Sequence, residues 1–251
     1  MAGPELSIPV LSRHLVQAQE AERKRISREL HDGTGQGLMV LRLYLGMLGA
    51  GSQDTESQLK VQEALGLLDS TVEDLRRIIG RLSPRTLEEA GVLAAIRKEA
   101  RDVSRNTGME SSLDLPESAA DLDPEAELAI YRCVQEALHN IAKHSQAQSF
   151  KVRLRTENGE CRLLIEDDGV GFSTRRSPRG SFGLWGMRER IAALGGTMRI
   201  RSGNGKGTHV SVTLPNPLPP VEFPGAPRSA TTKAKLFSVR ANHAQQRNKD
   251  N

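Results

Sequence analysis

Along the first third of the chain, apolar and small residues recur in alternating steps of four and three. One series runs through Ile26, Leu30, Gly33, Gly37, Val40, Tyr44 and Met47; a second runs through Val61, Leu65, Leu68, Val72, Leu75, Ile79 and Leu82. Sustained alternation of this kind predicts helices packed along one seam. The link between them, AGSQDTES, is short and holds Gly, Ser, Asp and Thr. The pattern therefore predicts an antiparallel helical hairpin over residues 16–84, after an N-terminal leader of residues 1–15. A lone hairpin buries one seam only. Pairing two copies into a four-helix bundle buries the rest, which predicts a homodimer.

Ser83-Pro84 ends the second helix, and the pattern then changes. LEEAGVLAAIRKEAR reads as one helix, and Pro124 opens another that runs to about Ala142. SFKVRLRT and CRLLIED read as strands around the turn ENGE. FGLWGMRERIAALGG reads as a helix closed by Gly195-Gly196, and TMRIRS and THVSVTL as a last hairpin across GNGKG. Residues 88–215 thus form an α+β domain behind the all-α hairpin, with no internal repeat.

Composition narrows the class. Hydrophobic residues make up 37% of the 251 and aromatics 3%, so the core is mostly aliphatic. The two cysteines, Cys133 and Cys161, form neither a disulfide framework nor a zinc motif. The apolar stretch GLMVLRLYLGMLGAG is broken by Arg42 and too short to span a bilayer, and no signal peptide precedes it. These features predict a soluble, cytoplasmic protein with no transmembrane segment. After Pro215 there are six Lys and Arg against two Asp and Glu, a surplus that equals the net charge of +4 of the whole chain. That stretch begins Pro-rich and continues polar, so residues 216–251 read as a disordered basic tail. It lacks aromatic interleaving, and direct nucleic-acid binding is not expected.

Chemistry concentrates in two places. The first is ISRELHDGTGQ, where His31 and Asp32 stand beside Gly33 and Gly35, with Gly37 just after, three glycines within five positions, each costing a helix interior about 1 kcal/mol relative to alanine. The second is a series of boxes downstream. Ile130, Cys133, Val134, Ala137, Leu138 and Ile141 form the apolar face of the helix from Pro124, while Glu136, Asn140 and His144 step by four along another face, with Lys143 beside them. A stripe like this is on its own an ordinary solvated face. It is followed, however, by Asp167-Asp168-Gly169-Val170-Gly171 at a strand end, where an aspartate can accept from an exocyclic amine and the glycines let backbone approach a nucleotide. Next come STRRSPRG, polar and basic as a lid over phosphates would be, and then Gly180, Gly183 and Gly186 leading into a helix. Gly205-Lys206-Gly207-Thr208 forms a last tight turn. Each box is weak alone; the four in order are strong, and no Walker-type motif competes.

EAERKRISRELHDGTGQ resembles the phosphoacceptor region of bacterial two-component sensor histidine kinases, in the subfamily that serves NarL-type response regulators. QEALHNIAKH, DDGVGF, FGLWGMRERIAALGG and GKGT resemble the ATP-binding domain of the GHKL (Bergerat) fold. The resemblance covers about residues 16–215. It implies a dimeric four-helix bundle followed by an α+β Bergerat sandwich, ATP and Mg²⁺ as cofactors, a homodimer, and a receiver-domain partner. It further implies roles. His31 is phosphorylated on a ring nitrogen, Asp32 orients the imidazole and takes its proton, and Gln36 positions water for dephosphorylating the regulator. Asn140 holds Mg²⁺ with Glu136 close by, and Lys143 or His144 lies near the phosphate chain. Asp167 reads the adenine amine. Gly169, Gly171, Gly183, Leu184 and Gly186 shape pocket and lid, with Thr208 behind the base. His14, His139, His209 and His243 are left as structural or exposed, and Trp185 as packing.

No sensor segment is recognisable before the phosphoacceptor helix, so the signal is expected from a separate sensor protein or from a larger kinase. Two rivals stay open. One is a phosphatase-dominant regulator; the other is a Bergerat-fold serine kinase or anti-sigma-like binding module, against which the Glu-Leu-His-Asp hairpin argues. The glycines below His31 thin the helix surface for an approaching domain and make it deformable. Replacing Gly33 and Gly35 with alanine should therefore stiffen the hairpin and change the ratio of kinase to phosphatase rates; two unchanged rates would remove this role.

Overall fold

The computed structural model describes residues 8–51, 54–119, 121–173 and 182–219. Helix α1 (Ile8–Glu29) begins within the segment expected as a leader and continues through a π-helical turn (Leu30–Gly35) into α2 (Gln36–Gly51). Helix α3 (Thr55–Leu82) returns beside α2, its first turn capped by the Asp54 carboxylate, which accepts from the Ser57 N–H at 2.9 Å. The α3 series has the predicted phase: Leu68 is buried and the other six members are half-buried.

The first series needs correction. Ile26 and Leu30 are half-buried as expected, but the inward positions after them are Gly35, Leu38, Leu45 and Gly49. The predicted Val40, Tyr44 and Met47 are 52, 61 and 62% exposed, and Gly33 and Gly37 also face outward. The reason is the π-helical turn. It closes hydrogen bonds over five residues rather than four, so it inserts a residue and re-phases every position after it. Where α2 meets α3 near their link, a Cβ on Gly49 would lie 3.0 Å from Val61 Cγ1, so the small residue sets the closeness of the two helices.

Helix α4 (Arg85–Thr107) is two helical pieces rather than one. Gly91 breaks it with φ 77° and ψ 172°, a conformation open to glycine. Strand β1 (Glu110–Asp114) went unread in the sequence; ESSLD has no apolar alternation, and it forms by parallel pairing with β2 (Ser149–Glu157). Helix α5 (Pro124–Asn140) runs into a second π-helical turn (Ile141–Ser145). Strand β3 (Glu160–Asp167), helix α6 (Phe182–Ala193), β4 (Thr197–Ser202) and β5 (Thr208–Pro215) complete the domain. The sheet order is β1-β2-β3-β5-β4, antiparallel except for β1.

One face of this sheet supplies Val152, Leu154, Leu163, Ile165, Val212 and Leu214 to a core shared with Ile96, Ile130, Val134, Leu138 and Ile191 of the helices. Burying these side chains contributes roughly 1.5–3 kcal/mol each. The opposite face is polar; there Arg153 donates to Asp114 at 3.0 Å. The basic lid STRRSPRG falls almost wholly outside the described residues, as does the tail from residue 220. No described helix is long and apolar enough to cross a membrane. Leu163→Ala, at a site 1% exposed, should lower stability by about 2–5 kcal/mol in denaturant unfolding.

Candidate functional site

The His31–Asp32 pair lies in the first π-helical turn, where a bulged helix projects side chains that a regular helix would space differently. His31 Nδ1 and Asp32 Oδ1 are 3.0 Å apart, and the two side chains are 58 and 69% exposed. In the tautomer with its proton on Nδ1, that nitrogen donates to the carboxylate and Nε2 holds the free lone pair. Gln36, at the C-terminal end of the turn, is also exposed. A Cβ on Gly33 or Gly37 would meet nothing within 4 Å, so no neighbour among the described residues requires glycine there. Gly35 differs; it packs toward Leu75 of α3.

The second centre is a cavity of about 630 Å³ between α5, the second π-helical turn, β3, β5 and the start of α6. Glu136, Asn140, Lys143, His144, Asp167, Gly171, Gly183, Leu184 and Thr208 all line it, alongside apolar Ile165, Phe172 and Val210. The structure therefore brings together nine residues that the sequence placed in one site. Three others, His31, Asp32 and Gln36, do not line it. Gly169 and Gly186 do not line it either: Gly169 lies in the wall behind, and Gly186 sits within α6 with open space where a Cβ would be. Gly180 lies outside the described residues.

Backbone packed on backbone builds the cavity floor. The Gly207 N–H donates to the Gly169 carbonyl at 2.9 Å, Gly205 N–H to the Val170 carbonyl at 2.6 Å, and Val170 N–H to the Ser145 carbonyl at 2.8 Å. A Cβ on Gly207 would sit 1.9 Å from the Asp167 carbonyl oxygen, and one on Gly171 2.1 Å from that of Gly203. Ser202 ties the same turns together: its Oγ accepts from the Phe172 N–H at 2.8 Å, donates to the Gly207 carbonyl at 2.9 Å, and lies 3.2 Å from Thr208 Oγ1.

The two aspartates of the Asp-Asp-Gly box divide their work. Asp168 points away from the cavity and accepts from Gln148 N–H, Ser149 N–H and Ser149 Oγ at 2.8–3.0 Å; these bonds hold its carboxyl below the usual range. Asp167 faces the cavity at 8% exposure. Burial pushes its carboxyl up, against the opposing pull of the Gly169 N–H and the Thr208 hydroxyl. Its Oδ1 accepts from that Gly169 N–H at 2.9 Å. At the other end, Glu136 packs against Gly183, where an added Cβ would fall 1.8 Å from Oε1, and Asn140 Nδ2 donates to the same oxygen at 3.4 Å.

Comparison with known proteins decides the family. Residues 22–87 match the family described as "Histidine kinase", and residues 125–218 match "Histidine kinase-, DNA gyrase B-, and HSP90-like ATPase". The chain belongs to the histidine kinases. It is 36% identical over 211 residues to "Signal transduction histidine-protein kinase/phosphatase UhpB" of Salmonella typhimurium, a span of 82% of this chain and 41% of that protein. It is 35% identical over 201 residues to "Oxygen sensor histidine kinase NreB" of Staphylococcus carnosus, spanning 80% and 58%. It is 31% identical over 213 residues to "Sensor histidine kinase MctS" of Rhizobium johnstonii, spanning 83% and 46%. The chain thus spans about half the length of these relatives.

The cavity of this histidine kinase fits the ATP that its ATPase domain implies. It offers a buried acceptor carboxylate at an apolar end and Lys143 with His144 at another wall. Asn140 and Glu136 supply hard oxygen donors that would suit Mg²⁺. Among the described residues no cluster of three or more His, Cys, Asp or Glu could hold a metal alone, so an ion there would be shared with phosphate oxygens.

Two further placements depart from the sequence reading, His139 and Trp185, while His209 stays within it. His139, left without a role, lines the cavity; burial and then the Arg81 and Lys143 charges push its imidazole down. Trp185, expected as packing, is 65% exposed. His209 pairs with Glu166 at 2.7 Å, and His243 lies outside the described residues. Unread altogether was Arg132, one turn before Glu136. Extending the step of four from Asn140 and Glu136 one turn back would have found it.

Gly207→Ala should cost at least about 1–3 kcal/mol, because a φ of 64° is strained for alanine and its Cβ has no room. Gly186→Ala, in open space within a helix, should be neutral or stabilise by up to about 1 kcal/mol. Denaturant midpoints of the two variants check this contrast.

Proposed function

We propose that this chain is the core of a dimeric, cytoplasmic two-component histidine kinase. It phosphorylates His31 from Mg-ATP and passes the phosphoryl group to an aspartate on a response regulator of the NarL type. The observation that carries this reading is the exposed His31–Asp32 pair, 3.0 Å apart, upstream of a cavity lined by Asp167 and Asn140.

Bound Mg-ATP supplies the γ-phosphoryl group. The rest belongs to the chain. Asp32 orients the ring through the Nδ1 proton, leaves Nε2 to react, and takes that proton when phosphorylation makes the ring positive. Asp167 accepts the hydrogen bond of the adenine amine, with Thr208 behind the base. Asn140 and Glu136 hold the metal, and Lys143 and His144 neutralise phosphate charge. Gly171, Gly183 and Leu184 shape the pocket, and Gly169 lets the Asp167 turn close beneath it.

Exposed Val40, Tyr44, Met47, Leu59 and Leu67 supply the apolar surface that a second hairpin would cover, which supports the homodimer. Gln36 lies exposed four residues beyond Asp32, and one relative is named kinase/phosphatase; both support a phosphatase activity toward the regulator that uses Gln36 to position water. ATP as substrate supports a cytoplasmic setting, where buried, unpaired Cys133 and Cys161 are also at home.

Purified protein with γ-labelled ATP and Mg²⁺ should acquire acid-labile, alkali-stable label that His31→Gln and Asn140→Ala abolish. Acid-stable label, or label that survives His31→Gln, would instead indicate a serine-kinase-like protein. Asp167→Asn should weaken ATP binding about ten- to a hundredfold, the loss of a hydrogen bond to a charged group. Because burial raises its carboxyl, Asp167 stabilises the fold only in its neutral form, at low pH, and this contribution is lost as pH rises through its folded pKa. Asp167→Asn should therefore leave the nucleotide-free protein at pH 7 as stable as wild type or more so. Reduced affinity together with reduced stability would contradict this.

A further inference from the structure

Helix α1 is docked on the ATPase domain by charge rather than by apolar packing. Between residues 11 and 25 its half-buried side chains are Ser12, Arg13, Val16, Glu20 and Arg23, with Val16 the one apolar member. Arg13 and Gln17 both reach Glu125 at the start of α5, with Arg13 Nε at 2.6 Å and Gln17 Nε2 at 2.9 Å. One turn on, Glu20 lies between two arginines. Its Oε2 accepts from Arg132 Nη2 at 2.7 Å and Nε at 3.1 Å; its Oε1 accepts from Arg190 Nη1 of α6 at 2.6 Å. The three side chains are 11, 3 and 7% exposed.

This contact fixes the cavity relative to His31. Arg132 precedes Asn140 by two turns on α5, and Glu20 precedes His31 by eleven residues on a helix that runs on without a break, about 16 Å along its axis. In this arrangement nothing from the His31 segment lines the cavity. Phosphoryl transfer needs the reacting atoms about 3–3.5 Å apart. A domain held at Glu20 with His31 outside its cavity has to shift before the two can meet within a protomer.

The chemistry of the contact suits release. A buried ion pair is a poor source of net stability, since desolvation offsets most of the attraction. Separation into water rehydrates both partners, and Arg132 keeps the carbonyls of Arg81 and Leu82 and the side chain of Gln135. We propose that Glu20 is a positioning residue for phosphoryl transfer: through Arg132 and Arg190 it latches the ATPase domain onto α1 with His31 outside the cavity, and opening this latch lets His31 reach the nucleotide. The proposal rests on the kinase reading above.

The test uses the full chain with Mg²⁺ and γ-labelled ATP over a range of concentrations, with hydrogen exchange read in parallel on α1. Glu20→Gln keeps the shape and removes the charge. It should raise the limiting rate of His31 labelling at least about fivefold, the low end of usual coupling between sites, leave the KM for ATP within about twofold, and speed amide exchange in α1. Structural damage alone would not raise the rate. An unchanged or lower limiting rate at wild-type KM would overturn the proposal. If Glu20→Gln does not fold, Arg13→Ala loosens the same docking face and is judged by the same criteria. If neither wild type nor variants are labelled, the kinase reading fails and exchange alone decides the latch. Faster exchange in α1 with unchanged strands would support it, and unaltered protection of α1 would overturn it.

Discussion

Arg132 joins three segments that the chain keeps far apart. From a position 4% exposed on α5 it binds Glu20 of α1, 112 residues upstream, and donates to the carbonyls of Arg81 and Leu82 at the end of α3. Those carbonyls belong to the last turn of a helix, where no intrahelical donor remains. One guanidinium thus caps the hairpin's second helix, holds the helix that leads into His31, and anchors the helix that carries Glu136 and Asn140. Its five donors in a fixed plane suit this task in a way that a lysine ammonium would not. Removing either charge while the site stays closed would leave its partner buried without compensation, a cost of about 3–5 kcal/mol.

The places where the chain gives up regular structure are the places where the proposed chemistry lies. Both π-helical turns sit at a segment of the proposed site: one presents His31 and Asp32, and the other carries Lys143 and His144 into the cavity wall. The second turn also directs the Ser145 carbonyl at the Val170 N–H, which fixes the Asp167 turn beneath the pocket. Gly171 and Gly207 admit backbone contacts there that any side chain would block. The result is a shallow floor of main-chain atoms with one carboxylate left facing inward, and the domain bears the cost of burying that carboxylate.

Much of this was legible in the sequence, and the failures have physical reasons. The α3 seam could be read because nothing interrupts its period. The α1–α2 seam was misread after Leu30 because a π-helical turn leaves no simple signature and re-phases the positions after it. What the misread series marks is the outward face, from Val40 to Met47. Nine cavity residues were legible because a helical step of four, the glycine spacing and a strand-end aspartate follow one another in the order of a known ATP-binding family. Glu20, Arg132 and Arg190 were not, since nothing in a local pattern says that residues so far apart will meet. Strand β1 escaped for a related reason: its polar residues form a strand only because β2 is beside them.

The central claim is that His31 is the phosphoacceptor and that Asp32 determines which of its nitrogens reacts. Phosphorus and nitrogen NMR of the ATP-treated, ¹⁵N-histidine-labelled protein reads both points together. With Nδ1 held by Asp32 at 3.0 Å, the account predicts a single phosphohistidine, at His31, bonded through Nε2. Phosphate on Nδ1, or on any other residue, would contradict it.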